Sequence, residues 1–169
     1  MKKFILIILG VVIILSSLFF VYNSKEVDVK GQVALERPSF ETGLVQAINS
    51  DGKTIDISVE IAKTSLQKLF GLMNVKELAS NQGMWFEFDN EETQSFWMKN
   101  TLIPLDMIFV SGNYDVLEIK ENVPPCKIEK CAIYASEKPA KYVLEINAGF
   151  AKANNIDLNS KISPLIMNE

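Results

Sequence analysis

The stretch SFWMKNTLIPLD, residues 95–106, brings together the side chains of this sequence that are best suited to bind a ligand. Trp97 offers an aromatic surface, and Asn100 offers an amide. Lys99 and Asp106 offer charges of opposite sign. A few convergent polar groups beside an aromatic surface are typical of a site for a small molecule or a glycan. Trp97, Lys99, Asn100 and Asp106 are therefore the candidate ligand-binding residues.

The same stretch also has a purely structural interpretation. If it forms a strand, a five-residue turn and the start of a second strand, Trp97 and Lys99 share one strand face. Lys99 and Asp106 then lie opposite or diagonal at the hairpin mouth and form a local ion pair. Asn100 builds the turn, and Trp97 packs into the core. The sequence alone leaves both interpretations open.

Any catalysis must use Asp, Glu, Lys, Tyr or backbone groups, because the chain contains no histidine. Ser-His-Asp and Cys-His mechanisms are thereby excluded within this chain. Burial of an acidic side chain raises its pKa towards the range of a general acid, and two carboxylates can support glycoside hydrolysis. An envelope hydrolase is therefore the alternative function, although acidic residues in strands more often face solvent. The acidic residues in apolar, strand-like segments are Glu87, Asp106, Glu118 and Glu145.

Metal and cofactor sites are not expected from this sequence. A zinc site needs more ligands than two cysteines without histidine. Met84, Met98 and Met107 could suggest a soft-metal site, but methionines on separate strands are more often core filler. Cys126 and Cys131 are expected to form a disulfide, since a nearby cysteine pair outside the cytoplasm usually does.

The charge of the chain argues against nucleic acid as a partner. The sequence holds 21 acidic and 17 basic residues, and without Lys2 and Lys3 the basic count is 15. An acidic surface repels nucleic acid and anionic lipid. Arg37 is the single arginine, which also disfavours recognition of phosphate by arginine forks.

The N-terminus predicts a membrane segment. Residues 4–22 carry no charge and, as a helix, would reach about 28 Å, close to the ~30 Å hydrocarbon thickness of a bilayer. Lys2 and Lys3 favour an orientation with the remaining chain outside the cytoplasm. A cleaved signal peptide, giving a secreted protein, is the alternative. We predict an anchor or signal segment over residues 1–23, a flexible tether over 24–42 and one domain over 43–169.

The domain is predicted to be mainly β. Residues 54–62 alternate apolar and polar side chains after the turn signal Asp51-Gly52, which indicates a hairpin. Helical spacing follows residue 64, and further short strands are separated by long loops. This pattern predicts an antiparallel β-sandwich or open barrel with one or two short helices, preceded by an N-terminal transmembrane helix.

Several segments resemble the DUF192 family in order and spacing. They are GLM (71–73), GMWFEF (83–88), SFWMKNTLIPLDMIFV (95–110), the PPC…C…Y loop (125–134) and YVLEINAG (142–149). The resemblance implies a compact, mainly β, sandwich-like fold, often behind a signal or anchor, and no established activity.

Two positions differ from the family pattern. An arginine usually follows GLM, where this chain has Asn74, Val75 and Lys76. A Gly-Asp pair near the C-terminus is replaced by Asn159-Ser160 or Ser160-Lys161.

The N-terminal segment and the candidate ligand-binding residues together predict the function. The sequence predicts an extracytoplasmic module that binds a small ligand, a glycan or an envelope protein.

Overall fold

The computed structural model describes residues 36–165, which form short strands and two short helices. In chain order the strands are β1 (Glu41–Ile48), β2 (Thr54–Ala62), β3 (Gln82–Glu92), β4 (Ser95–Trp97), β5 (Leu105–Val110), β6 (Val116–Val123), β7 (Ile133–Ala135), β8 (Ala140–Asn147) and β9 (Lys161–Pro164). The helices are α1 (Ser65–Phe70) and α2 (Phe150–Ala153). The mainly β class with short helices is thus confirmed.

Seven of these strands form one curled sheet in the order β6-β5-β8-β3-β2-β1-β9. Its two edges meet through backbone hydrogen bonds, from Val116 N–H to the Ser160 carbonyl (3.1 Å) and from Ile162 N–H to the Tyr114 carbonyl (2.9 Å). The prediction of a two-sheet sandwich is therefore wrong, and the open barrel is the better description.

The sheet is antiparallel except between β2 and β3, which run parallel. A parallel pair needs a long crossover, and α1 with the loop after it supplies this connection. The side chain of Thr64 accepts a hydrogen bond from Gln67 N–H, and Gln67 bonds back to the Thr64 backbone, so a capping box starts α1. Gly71 is the C-cap residue that ends the helix.

The predicted β1–β2 hairpin is confirmed. Gly52 has a φ of +75° in the turn, a conformation that costs glycine little. Ile57 and Val59 are buried on the face that the alternation assigns to the core. Hairpin geometry and binary pattern agree here, which is why the sequence alone was sufficient.

The predicted hairpin between β4 and β5 does not form. β4 pairs with β7 in a separate two-stranded sheet, while β5 pairs with β6 and β8 in the main sheet. The chain crosses from one sheet to the other after Met98, whose side chain is buried. Lys99 and Asp106 consequently do not face each other.

Both faces of the main sheet are covered by apolar side chains. The inner face, around Trp85, Ile108 and Leu144, is enclosed by the curl of the sheet. The outer face, around Met84, Phe86 and other residues, is covered by the segments that connect the strands. Strand β5 is buried along its whole length as a result. Met84, Met98 and Met107 are buried in this outer cluster, as core packing requires.

The predictions for the N-terminus concern mostly residues outside those that the structure describes. The predicted membrane segment, residues 4–22, is among them, and no helix in residues 36–165 is long and apolar enough to span a membrane. The last part of the predicted tether contacts the domain: Arg37 forms a bidentate ion pair with Glu60. Strand β1 begins at Glu41, two residues before the predicted domain boundary.

The predicted disulfide between Cys126 and Cys131 is present, with 5.7 Å between the two Cα atoms. It closes a short loop between β6 and β7. This bridge fixes the loop that leads into the strand partner of β4.

Candidate functional site

Strand register places Glu145 at the centre of the outer face of the sheet. Glu145 lies opposite Met84 of β3 on one side and Met107 of β5 on the other. Both neighbours are apolar and buried, and Glu145 itself is 5% exposed. The carboxyl group of Glu145 thus lies between two apolar strand neighbours.

A cleft opens above this carboxyl group, and we call it the Glu145 cleft. It contains about 260 Å³ of empty space, part of which is open to solvent. Two connecting segments cover the sheet here, the loop after α1 and the segment after β3. The cleft is lined by residues 68–73, Phe86, Phe96, Trp97, Thr101 and Glu145.

The carboxyl group of Glu145 has no hydrogen-bond or ion-pair partner within residues 36–165. Burial raises the pKa of Glu145 to about 8, since the charged form is disfavoured where water is excluded. The group is therefore mostly protonated at neutral pH. The carboxyl oxygens are not sealed from solvent: within residues 36–165, Trp85 Nε1 is the one fully buried side-chain nitrogen or oxygen atom without a hydrogen-bond partner. Glu145 therefore presents a carboxyl group, without a protein partner, to whatever enters the cleft.

Gly71 makes room for the cleft. Its φ is +46°, a backbone conformation that residues other than glycine rarely adopt. A Cβ atom at this position would lie 3.4 Å from Phe86 Cζ and 3.9 Å from Glu145 Oε2. The first residue of the GLM segment therefore sets the open space next to the carboxyl group.

Aromatic side chains form the walls of the cleft. Phe96 contacts Phe86 edge to face, with 5.0 Å between the ring centroids. Trp97 is 39% exposed, so its ring is partly available to a ligand. Thr101 is buried and adds a hydroxyl group to the lining.

Only one of the four predicted ligand-binding residues, Trp97, lines this cleft. Lys99 is exposed, with Nζ 5.5 Å from the Trp97 ring centroid. Asn100 is exposed with a φ of +58°, and its carbonyl accepts a hydrogen bond from Asn74 N–H at 2.8 Å. This backbone hydrogen bond joins the segment after β4 to the loop after α1.

Asp106 has a structural environment. It is fully buried, and its oxygens accept hydrogen bonds from the backbone N–H groups of Asn122 (2.9 Å), Gly149 (3.0 Å) and Ala151 (3.0 Å). The predicted ion pair between Lys99 and Asp106 does not form, because β4 and β5 belong to different sheets. Asp106 instead ties β5 to the end of β6 and to the start of α2.

The other candidate carboxylates do not form a pair with Glu145. On β5 and β8, Asp106 lies opposite Ile146 whereas Met107 lies opposite Glu145, so the two buried acids point to opposite faces. Burial opposes ionisation of Glu118, but hydrogen bonds from Lys120 and from Glu137 N–H outweigh it, and the pKa of Glu118 is lowered.

Glu87 lies opposite Tyr142 on β8, three residues along β3 from Met84. The alternation of a strand therefore turns it to the other side of the sheet from Glu145. Within residues 36–165 no cluster of metal-ligating side chains occurs.

The sequence comparison decides the family. Residues 46–164 match the model of DUF192, described as Uncharacterized ACR. The chain belongs to the DUF192 family. No curated protein matches the chain.

Two solved structures share the fold. A proposed transcription regulator from Sinorhizobium meliloti 1021 is 35% identical, with a TM-score of 0.71, over 76% of this chain and 98% of that one. A protein of unknown function from Novosphingobium aromaticivorans DSM 12444 is 30% identical, with a TM-score of 0.69, over 83% of this chain and 99% of that one.

Four of the five DUF192-like segments meet at the Glu145 cleft: GLM, GMWFEF, SFWMKNTLIPLDMIFV and YVLEINAG. Lys76, which stands near the position of the usual arginine, is exposed and does not line the cleft. The sequence analysis identified each of these segments, and Glu145, as separate features. Their meeting point depends on the register of β3, β8 and β5, which no local pattern encodes.

Proposed function

We propose that this DUF192 protein is a non-enzymatic binding module of the cell envelope, anchored through residues 4–22, whose Glu145 cleft holds a small ligand. The ligand is either free or the protruding end of a larger envelope molecule. The proposal concerns the whole chain, with the cleft as its functional site.

The unpartnered carboxyl group of Glu145 carries this proposal. Asn49, Gln94 and Asp106 are also buried, yet each makes hydrogen bonds to the backbone. Glu145 makes none within residues 36–165, and it faces the cleft. A ligand that bonds to this group would supply hydrogen bonds that residues 36–165 do not provide.

The lining of the cleft supports a small ligand. Apolar and aromatic walls with a few polar groups are typical of such sites. Phe96 and Trp97 supply the aromatic surface, and Thr101 and Glu145 supply polar groups.

The alternative, a hydrolase with paired carboxylates, has less support. Glycoside hydrolysis needs two carboxyl groups about 5–10 Å apart across the cleft. Glu145 is the single acidic residue among those that line the cleft. A lone buried acid is consistent with binding and lacks the partner that this chemistry requires.

The proposal includes no nucleic-acid partner. The S. meliloti protein is described as a transcription regulator, but the present chain carries a net charge of −4. Its acidic excess opposes binding to a polyanion. The envelope location rests on the apolar run of residues 4–22 and on the disulfide.

Tryptophan fluorescence offers a direct test. The chain has two tryptophans, of which Trp97 lines the cleft and Trp85 is fully buried in the inner core. The full chain, purified in detergent, is titrated with neutral monosaccharides, small carboxylic acids and small amines. We expect a saturable change of emission with at least one class, and its loss in Trp97→Phe.

A matched variant controls for nonspecific effects. Glu121→Gln makes the same chemical change as Glu145→Gln at an exposed position of β6. It should leave the titration unchanged, while Glu145→Gln should alter it. No response to any of the three classes would contradict the proposed binding function.

A further inference from the structure

We propose that the Glu145 cleft recognises a primary ammonium group carried on a slender aliphatic chain. This inference rests on the proposed binding function and specifies the class of ligand. The side chain of lysine and free alkylamines share this chemistry.

The floor of the cleft suits an ammonium group. Glu145 presents a carboxyl group that receives no hydrogen bond and no positive charge within residues 36–165. An ammonium group brings three hydrogen-bond donors and the opposite charge to the carboxylate form. Because Glu145 is buried at the floor of the cleft, this charge-assisted contact is stronger there than on the surface.

The walls of the cleft suit a cation with an apolar stem. Phe86, Phe96 and Trp97 line it, and the face of an aromatic ring attracts ammonium groups within about 6 Å. The chain itself makes such contacts nearby. Lys99 Nζ lies 5.5 Å from the Trp97 ring centroid, and Lys68 Nζ lies 4.7 Å from the Phe88 ring centroid.

The charged groups around Glu145 are few. α1 contributes Lys68, whose ammonium group lies over Phe88 and forms no ion pair with Glu145. The neighbouring positions of β3 and β5 are apolar. Beyond β5, Lys120 of β6 is paired with Glu118. An incoming ammonium group therefore meets Lys68 in the lining and Lys99 beside the Trp97 wall, each already held on an aromatic ring.

Binding of an ammonium group must displace a proton from Glu145. The pKa of Glu145 in the empty cleft is about 8, so at pH 7 most molecules hold the neutral acid. A primary amine stays protonated up to a pH of about 10. The affinity for an ammonium ligand should consequently rise with pH until Glu145 is ionised in the free protein.

The experiment titrates the full chain in detergent with n-butylamine and with 1-butanol, which has the same chain length and no charge. Trp97 emission is followed between pH 6 and pH 9, with thermal melting at each pH as a check of folding. We expect affinity for n-butylamine to rise by about a hundredfold across this range, since each pH unit below the pKa of Glu145 reduces it about tenfold. Affinity for 1-butanol should not rise.

Variants identify the responsible group. Glu145→Gln should remove the pH dependence and reduce the affinity for n-butylamine at pH 9 to that for 1-butanol. Glu121→Gln should behave like the unmodified chain. Nα-acetyl-lysine amide serves as a second amine probe: binding of both amines indicates recognition of a lysine side chain, and binding of n-butylamine alone indicates a free alkylamine.

The outcomes separate this inference from the proposed function. If 1-butanol or a monosaccharide binds while n-butylamine does not, or if amine affinity is independent of pH, the ammonium inference is overturned and the binding function stands. If no probe of any class binds, both are overturned.

Discussion

Asp106 and Glu145 are two buried carboxylates on neighbouring strands of the same sheet, and their surroundings are opposite. Asp106 accepts hydrogen bonds from three backbone N–H groups on the inner side of the sheet. Glu145, on the outer side, accepts none within residues 36–165 and faces a cleft. The difference shows that burial of an acid does not by itself mark a functional site. What distinguishes Glu145 is the missing partner.

Asp106 should be the more costly residue to remove. Asp106→Ala leaves three backbone N–H groups without their acceptor, each costing about 1–3 kcal/mol, and the free energy of unfolding should fall by about 4 kcal/mol. Urea denaturation measures this loss. Asp89→Ala, an exposed position of β3, is the control and should change stability little. A loss below about 1 kcal/mol would contradict a structural role for Asp106.

Glu145 should instead make the stability depend on pH. Its pKa is about 8 in the folded chain and about 4.5 when unfolded, so the folded state holds a proton that the unfolded state has lost between these values. The contribution of Glu145 is fully present below pH 4.5 and is lost as pH rises towards 8. Stability should fall by about 1.4 kcal/mol per pH unit in this window, or about 3 kcal/mol from pH 5.5 to pH 8.

Glu145→Gln separates this effect from other titrating groups. The variant should lose most of the slope with pH, as followed by urea denaturation at several pH values. Glu121→Gln should keep it. An unchanged slope in Glu145→Gln would place the raised pKa on another group.

The disulfide should matter for stability and not for the cleft. In the chain-entropy model, replacing both cysteines by serine lowers the free energy of unfolding by about 2 kcal/mol, because the loop between Cys126 and Cys131 is short. Neither cysteine lines the cleft. Ligand titration of the doubly substituted chain should therefore match the original, and a loss of binding would show that the loop supports the cleft.

Lys68→Met should have the smallest effect. It removes the one cation among the residues that line the cleft, and an ammonium ligand should then bind about two- to threefold more tightly, as weak screened repulsion permits. Isothermal titration with n-butylamine at pH 9 measures this change. Weaker binding in Lys68→Met would indicate that Lys68 helps to hold the ligand.

The contrast between the two acids also shows what the sequence can predict. Local patterns were sufficient for the β1–β2 hairpin, where Gly52 and the alternation of residues 54–62 agree with the fold. They were also sufficient for β5 and β8 as strands. These features depend only on neighbours in the chain.

The sequence could not separate Asp106 from Glu145, because both stand in apolar strands. The amides that satisfy Asp106 belong to Asn122, Gly149 and Ala151, which are distant in the chain. The pairing of β4 with β7, in place of β5, is also a long-range choice. Long-range contacts of this kind decide that Asp106 accepts hydrogen bonds from the backbone and that Glu145 does not.

The ionisation of Glu145 is the most direct test of the function proposed for this residue. The side-chain carboxyl ¹³C signal of Glu145, assigned by its absence in Glu145→Gln, is followed by NMR across pH 4–10 in the full chain. We predict that the titration of the Glu145 carboxyl group has its midpoint near pH 8 in the free protein. With saturating n-butylamine the midpoint should fall by about one unit or more, as an opposite charge nearby requires. A midpoint below about pH 5.5 without ligand would contradict the raised pKa of Glu145. A midpoint that does not change when n-butylamine is added would contradict the proposed ammonium site.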